Sequence, residues 1–189
     1  NCHYAANVAA SVLQHLATLP LSTRHLLGKF ASLGSAGELD TMSRILGIAV
    51  AEIEQTLLPA ATAKLIALNG REYAFMHDSM HEAALDLLEP TDKDAFHYLA
   101  ALHYMHLSDL EVTNAVLFRA AHHLLSIRNG GLLAHDAQTF CQLMLRASRR
   151  AKDTGDYVSA LRYLQTARLL NSSVGSDDQS EFLLEEAEC

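Results

Sequence analysis

The side chains best equipped for chemistry in this chain are its eleven histidines, and their spacing decides what they can do. His77 and His81 stand four apart, a separation that places two rings on one helical face and suits a shared metal ion. The run Tyr73-Ala74-Phe75-Met76-His77-Asp78-Ser79-Met80-His81-Glu82-Ala83-Ala84 argues against that use. Tyr73 and Phe75 alternate with Ala74 as one face of a strand would. Asp78 is a good N-cap, and Glu82 falls in the first turn of the helix it would open. His77 is therefore expected at the strand-to-helix junction, anchored by backbone on both sides and able to point at a neighbouring site. A HExxH pattern is absent, because Leu85 stands where its second histidine would be. His97, His103, His106, His122 and His123 also lack zinc-site spacing, so all eleven histidines are read as non-metal. Ser79 and Ser148 have no nucleophile elbow around them, and Cys141 lies on an apolar helical stripe. Arg146, Arg149, Arg150 and Lys152 form the one basic cluster, read as a solvated face near a helix C-terminus, where cations are favoured. No catalytic set can be assembled from these residues.

Composition bounds the rest. The chain has 189 residues, half of them hydrophobic, with three prolines, nine glycines and no tryptophan. Abundant Ala and Leu favour helix. A formal charge of −8 argues against a general nucleic-acid surface. Cys2, Cys141 and Cys189 are scattered without CxxC spacing, which points to a reducing, cytoplasmic setting and no disulfide framework. No membrane partner is expected, since no apolar run approaches a membrane span and no signal peptide is visible. A start at Asn1 rather than Met, and an end at Cys189 inside an acidic helix-like stretch, make it expected to be a piece of a longer protein.

Three segments position these residues. Residues 1–20 hold an N-terminal helix over 4–19, closed by Pro20 and read as the end of a preceding domain. Residues 21–77 hold a helix capped by Ser22 or Thr23 and ended by Gly34, a short helix from about Glu38 to Leu46 closed by Gly47, and a third from Val50 to Leu58 with Pro59 after it. Strands at Ala63–Leu68 and Tyr73–Met76 then flank Asn69-Gly70, the dipeptide that most favours a hairpin turn. Three helices and a hairpin make a winged helix. Residues 78–189 are all helical: Asp78–Leu88, then from Thr91 or Asp92 to His106, from Ser108 or Asp109 to Arg128, His135–Asp153, Tyr157–Leu170, and a truncated sixth after a polar loop at 171–178. The fold class is thus mainly α, a winged helix followed by helical hairpins.

The stretch Gly155 to Leu170 looks like the second half of a tetratricopeptide repeat. Ala160 and Ala167 allow two helices to approach closely, with Tyr157 and Tyr163 filling the gaps. Its partner helix departs from the consensus at Met144 and Ala151.

The order of parts, with Leu19-Pro20-Leu21-Ser22-Thr23-Arg24-His25-Leu26-Leu27, Phe75 to Ala84, His97 with Leu99, and Leu145 to Leu170, resembles the winged-helix and tetratricopeptide region of signal-transduction ATPases with numerous domains, as found in multidomain sensor, hybrid histidine and serine/threonine kinases. The resemblance covers about residues 8–170. It implies that His77, steadied by Asp78, senses the diphosphate of ADP held by an upstream nucleotide-binding domain, with sensor and kinase domains downstream. His97 matches a family position where a helix packs. The chain lacks the GxxxxGK(S/T) phosphate loop and the kinase motifs, so ATP or ADP is implied for the parent and no cofactor for this segment.

The expected function is accordingly a non-catalytic relay, coupling nucleotide state to kinase domains and to protein partners of the helical region. Two other classes compete. A tetratricopeptide scaffold would bind a peptide or protein partner, but shows one repeat where about three are needed. A winged-helix transcription regulator would need a basic recognition helix, whereas Val50–Leu58 carries Glu52 and Glu54 and neither Lys nor Arg.

Overall fold

The computed structural model describes residues 14–110, 113–128, 133 and 136–173. They are mainly helical, with a small antiparallel sheet of three strands. The start of the expected first helix at 4–13, the loop at 174–178 and the sixth helix lie outside the described residues. The chain divides into two compact units, Asn1–Lys93 and Asp94–Cys189. The division falls in a helix that begins at Pro90.

The first unit runs from a helical turn at residues 14–18 into α1 (Leu21–Leu33), β1 (Ala36–Glu38), α2 (Leu39–Leu46), α3 (Val50–Thr62), β2 (Ile66–Asn69), β3 (Glu72–Phe75) and α4 (Asp78–Leu85). Its core gathers Leu27, Phe30, Leu39, Met42, Ile53 and Leu57, each almost fully buried. Tyr73 of β3 closes it, with its ring edge-on to Phe30 at 4.4 Å and its hydroxyl donating to the Phe30 carbonyl at 3.3 Å. A buried phenol needs such an acceptor to offset its lost hydration.

Several local expectations are corrected. Neither Ser22 nor Thr23 caps α1, which starts at Leu21 after Pro20; Thr23 is buried, and its hydroxyl donates to the Thr56 carbonyl of α3 at 2.8 Å. Pro59 does not end α3, which continues to Thr62. The ring costs the helix one N–H bond, but Leu57 and Ala60 on either side are completely buried and hold that turn against the core.

The sheet has a third strand that the sequence reading lacked. β1 pairs with β3 through Ala36↔Ala74, Gly37↔Tyr73 and Glu38↔Glu72, giving the order β1-β3-β2. Ala-Gly-Glu carries no β-branched or aromatic residue, so the strand has no propensity signal of its own. A Cβ at Gly37 would lie 3.0 Å from the Tyr73 ring, so a larger residue there would need the ring to shift by a few tenths of an ångström. The hairpin is present, but Asn69 pairs with Glu72, so the turn residues are Gly70 and Arg71. Gly70 has φ 60°, and among non-glycine residues described only Lys64 is positive. That pattern matches a turn with glycine at its first central position.

The second unit comprises the main part of α5 (Pro90–Leu110), then α6 (Asn114–Ser126), α7 (Ala137–Asp153) and α8 (Tyr157–Ser173). Pro90 opens α5, a position that needs no N–H donor. Ser108 starts no helix; it lies in the last turns of α5, its hydroxyl bonded to the Met105 carbonyl at 2.7 Å. Helices α7 and α8 form a hairpin in which Ala147, Ala151, Ala160 and Ala167 are buried, and the Ser148 hydroxyl donates to the Ala160 carbonyl at 2.9 Å. The turn uses Gly155 at φ 80°, and the Asp156 carboxylate accepts from the Ser159 N–H at 3.1 Å, capping α8. Tyr163 stacks on Phe118 of α6 at 6.1 Å, whereas Tyr157, expected to fill a gap, is half exposed.

Candidate functional site

The strand-to-helix junction is held by backbone on both sides. The Phe75 N–H donates to the Ser35 carbonyl at 2.8 Å, and the Met76 N–H to Leu65 at 3.1 Å. His77 itself is extended, with φ −150° and ψ 151°, and its carbonyl accepts from the N–H groups of Met80 and His81 at 3.0 and 3.2 Å. These bonds make His77, not Asp78, the N-cap of α4. Its ring makes no capping hydrogen bond and is exposed beside Met76. Asp78 is the first helical residue and is also exposed. Its charge is favoured there by the unpaired N–H groups of the first turn.

His81 takes the structural role at this junction. Its Nε2 lies 2.9 Å from the Ala31 carbonyl oxygen, and its ring packs edge-on to Phe75 at 5.3 Å. The last carbonyls of a helix lack intrahelical partners. Donation from Nε2 satisfies that of Ala31, which places the ring proton on Nε2 and fixes α4 to α1. His77 and His81 are thus split between solvent and packing. Among the described residues no three His, Cys, Asp or Glu side chains are placed to hold a metal ion.

Two other features stand out. The outer face of the sheet is an open concavity of about 450 Å³, floored by Ala36, Ala74 and Ala67 in one row, with Glu38, Glu72 and Asn69 in the next. Glu38 and Glu72 are directly opposite each other and both exposed, a like-charge pairing that disfavours the sheet locally. In the second unit, the arginines of α7 are exposed but organised. Arg146 reaches the Ser108 carbonyl at 3.5 Å, Arg150 donates to the Asn114 side-chain oxygen at 2.7 Å and lies 3.8 Å from Asp153, and Arg149 completes a cleft of about 250 Å³.

The second unit also buries a histidine pair. His97 of α5 and His123 of α6 approach Nδ1 to Nδ1 at 2.9 Å. Burial, then the charges of His97, His122 and Arg119, push His123 down to about 3. Nearby, Tyr98 is hydrogen-bonded to Asp136, which together with burial raises it to about 12. The packing role expected of His97 fits its burial, but neither its partner nor the anchoring role of His81 was apparent: residues 26 apart in sequence carry no local signal of contact.

Comparisons with family models, with characterised proteins and with solved structures give no match. Among the described residues no single helix is long and apolar enough to cross a membrane.

Proposed function

We propose that this chain is a non-catalytic relay segment of a nucleotide-switched signalling ATPase or sensor kinase, its first unit a winged helix and its second a set of helical hairpins of tetratricopeptide type. Support for the first unit comes from its element order, helix-strand-helix-helix-hairpin, with β1 added to the hairpin as a third strand. Support for the second comes from the small residues between α7 and α8. The observation that carries the reading is the His77 junction: a rigidly held backbone presenting an unburied imidazole that no local packing uses. An upstream domain holding ADP is the partner, and a phosphate oxygen the acceptor. Contact made in one nucleotide state and not the other would bias the equilibrium between them.

Hydrogen exchange in the parent protein tests this. Residues 76–81 should exchange more slowly with ADP bound than with a non-hydrolysable ATP analogue. Equal exchange in the two states would rule the reading out.

A scaffold role for the second unit has one specific support. Val158 and Leu169 of α8 are 82% and 72% exposed and lie three turns apart on one stripe. DNA binding has none on the expected helix: α3 presents Glu52, Gln55 and Leu58 outward.

A further inference from the structure

We propose that His97 and His123 form a pH-sensitive clamp between helices α5 and α6, closed while the two Nδ1 atoms share one proton and weakened on acidification. The inference does not depend on the relay reading.

The geometry sets the proton count. Two Nδ1 atoms at 2.9 Å form a hydrogen bond only if one carries hydrogen and the other a lone pair. With both rings neutral, one presents Nδ1–H and its partner keeps its own hydrogen on Nε2. A first extra proton leaves that bond intact but creates an imidazolium where His97 and His123 are 5% and 3% exposed. A second sets N–H against N–H, and the bond is lost. Burial opposes the first step and geometry forbids the second, so the closed pair resists protons that separated histidines accept.

On His123 the charges of the neighbouring groups act in the same direction as burial. On α6, Arg119 and His122 flank His123, with the His122 ring centre 5.9 Å away. On α5, the Tyr104 ring stacks parallel to His123 at 5.6 Å and lies under the Arg119 guanidinium at 5.8 Å. His103 packs against Tyr104, and Tyr98 is engaged by Asp136. Asp94, one turn before His97, accepts from the Arg128 N–H at 3.1 Å. On α7 the sole titratable residue among its buried side chains is Cys141. The charges acting on His123 are those of His97, His122 and Arg119, each opposing a further positive charge.

The sign follows from linkage. His123 binds its proton more weakly folded than unfolded, so its contribution is present above its ordinary value of 6.5 and is lost as pH falls towards 3. One proton taken up on unfolding raises the unfolding constant about tenfold per pH unit across that window.

The test is urea unfolding of the 189-residue chain between pH 7.5 and 4.5, with wild type beside His123→Gln. Below pH 6.5 the wild-type unfolding constant should climb about tenfold per pH unit more steeply than that of the variant. Equal slopes would overturn the clamp. Should His123→Gln fail to fold, imidazole nitrogen NMR of the wild type decides. A His123 ring still neutral at pH 5, coupled through its Nδ1 to that of His97, supports the clamp, and a ring titrating at its ordinary value refutes it.

Discussion

His81 donates from Nε2 to the Ala31 carbonyl at 2.9 Å, while His77, four residues earlier, leaves its ring in solvent. One junction thus contains a histidine that holds the fold and another that the fold does not use. His81→Ala should lower the stability of the chain by about 1 kcal/mol, the usual net worth of such a bond. His77→Ala should change it by less than about 0.5 kcal/mol, as exposed substitutions do. Denaturant midpoints of the two variants check this, and equal losses would contradict it.

Gly28 of α1 faces Leu88, just past α4, so closely that a Cβ would lie 2.6 Å from the Leu88 Cγ. Gly28→Ala is expected to destabilise by about 1–3 kcal/mol through overpacking, despite the better helix propensity of alanine. Adding Leu88→Ala should make the double variant less unstable than the sum of the single losses, because the two sites share one contact. Additive losses in a double-mutant cycle would show that α4 and its following turn are not fixed on α1 in this way.

Glu38 and Glu72 oppose each other on the outer face of the sheet. Glu72→Thr replaces a like-charge pair with a β-favouring residue and should stabilise the chain by about 0.2–1 kcal/mol, more at low salt than at high. A loss of stability at low salt in thermal unfolding would mean that the carboxylate has a partner worth keeping.

What the sequence disclosed depended on how local the signal was. The helices around Phe30, Ile53 and Ala160 announce themselves by apolar spacing, and Gly47 and Gly70 mark their ends and turns. Strand β1 had no such signal, because Ala36-Gly37-Glu38 is a strand only by virtue of pairing with β3. Pro59 was misleading for the opposite reason: a strong local breaker is overridden by buried neighbours. The junction position of His77 was legible from Tyr73, Phe75 and the helix that follows. Its role as N-cap in place of Asp78 was not, since propensity favours aspartate there. The His97–His123 and His81–Ala31 contacts depend on tertiary packing.

The ADP affinity of the parent protein, measured for His77→Ala and His81→Ala beside the thermal stability of this chain, tests the relay most directly. A histidine that touches the diphosphate only in the closed state is worth about 1.5–3 kcal/mol as a charge-assisted bond. His77→Ala should therefore weaken ADP binding by roughly tenfold or more and raise basal signalling, with the melting temperature of the chain unchanged. His81→Ala should do the reverse, lowering the melting temperature while leaving ADP affinity per folded molecule intact. If His77→Ala leaves ADP affinity unchanged, the imidazole at the junction is no nucleotide latch and the relay account fails.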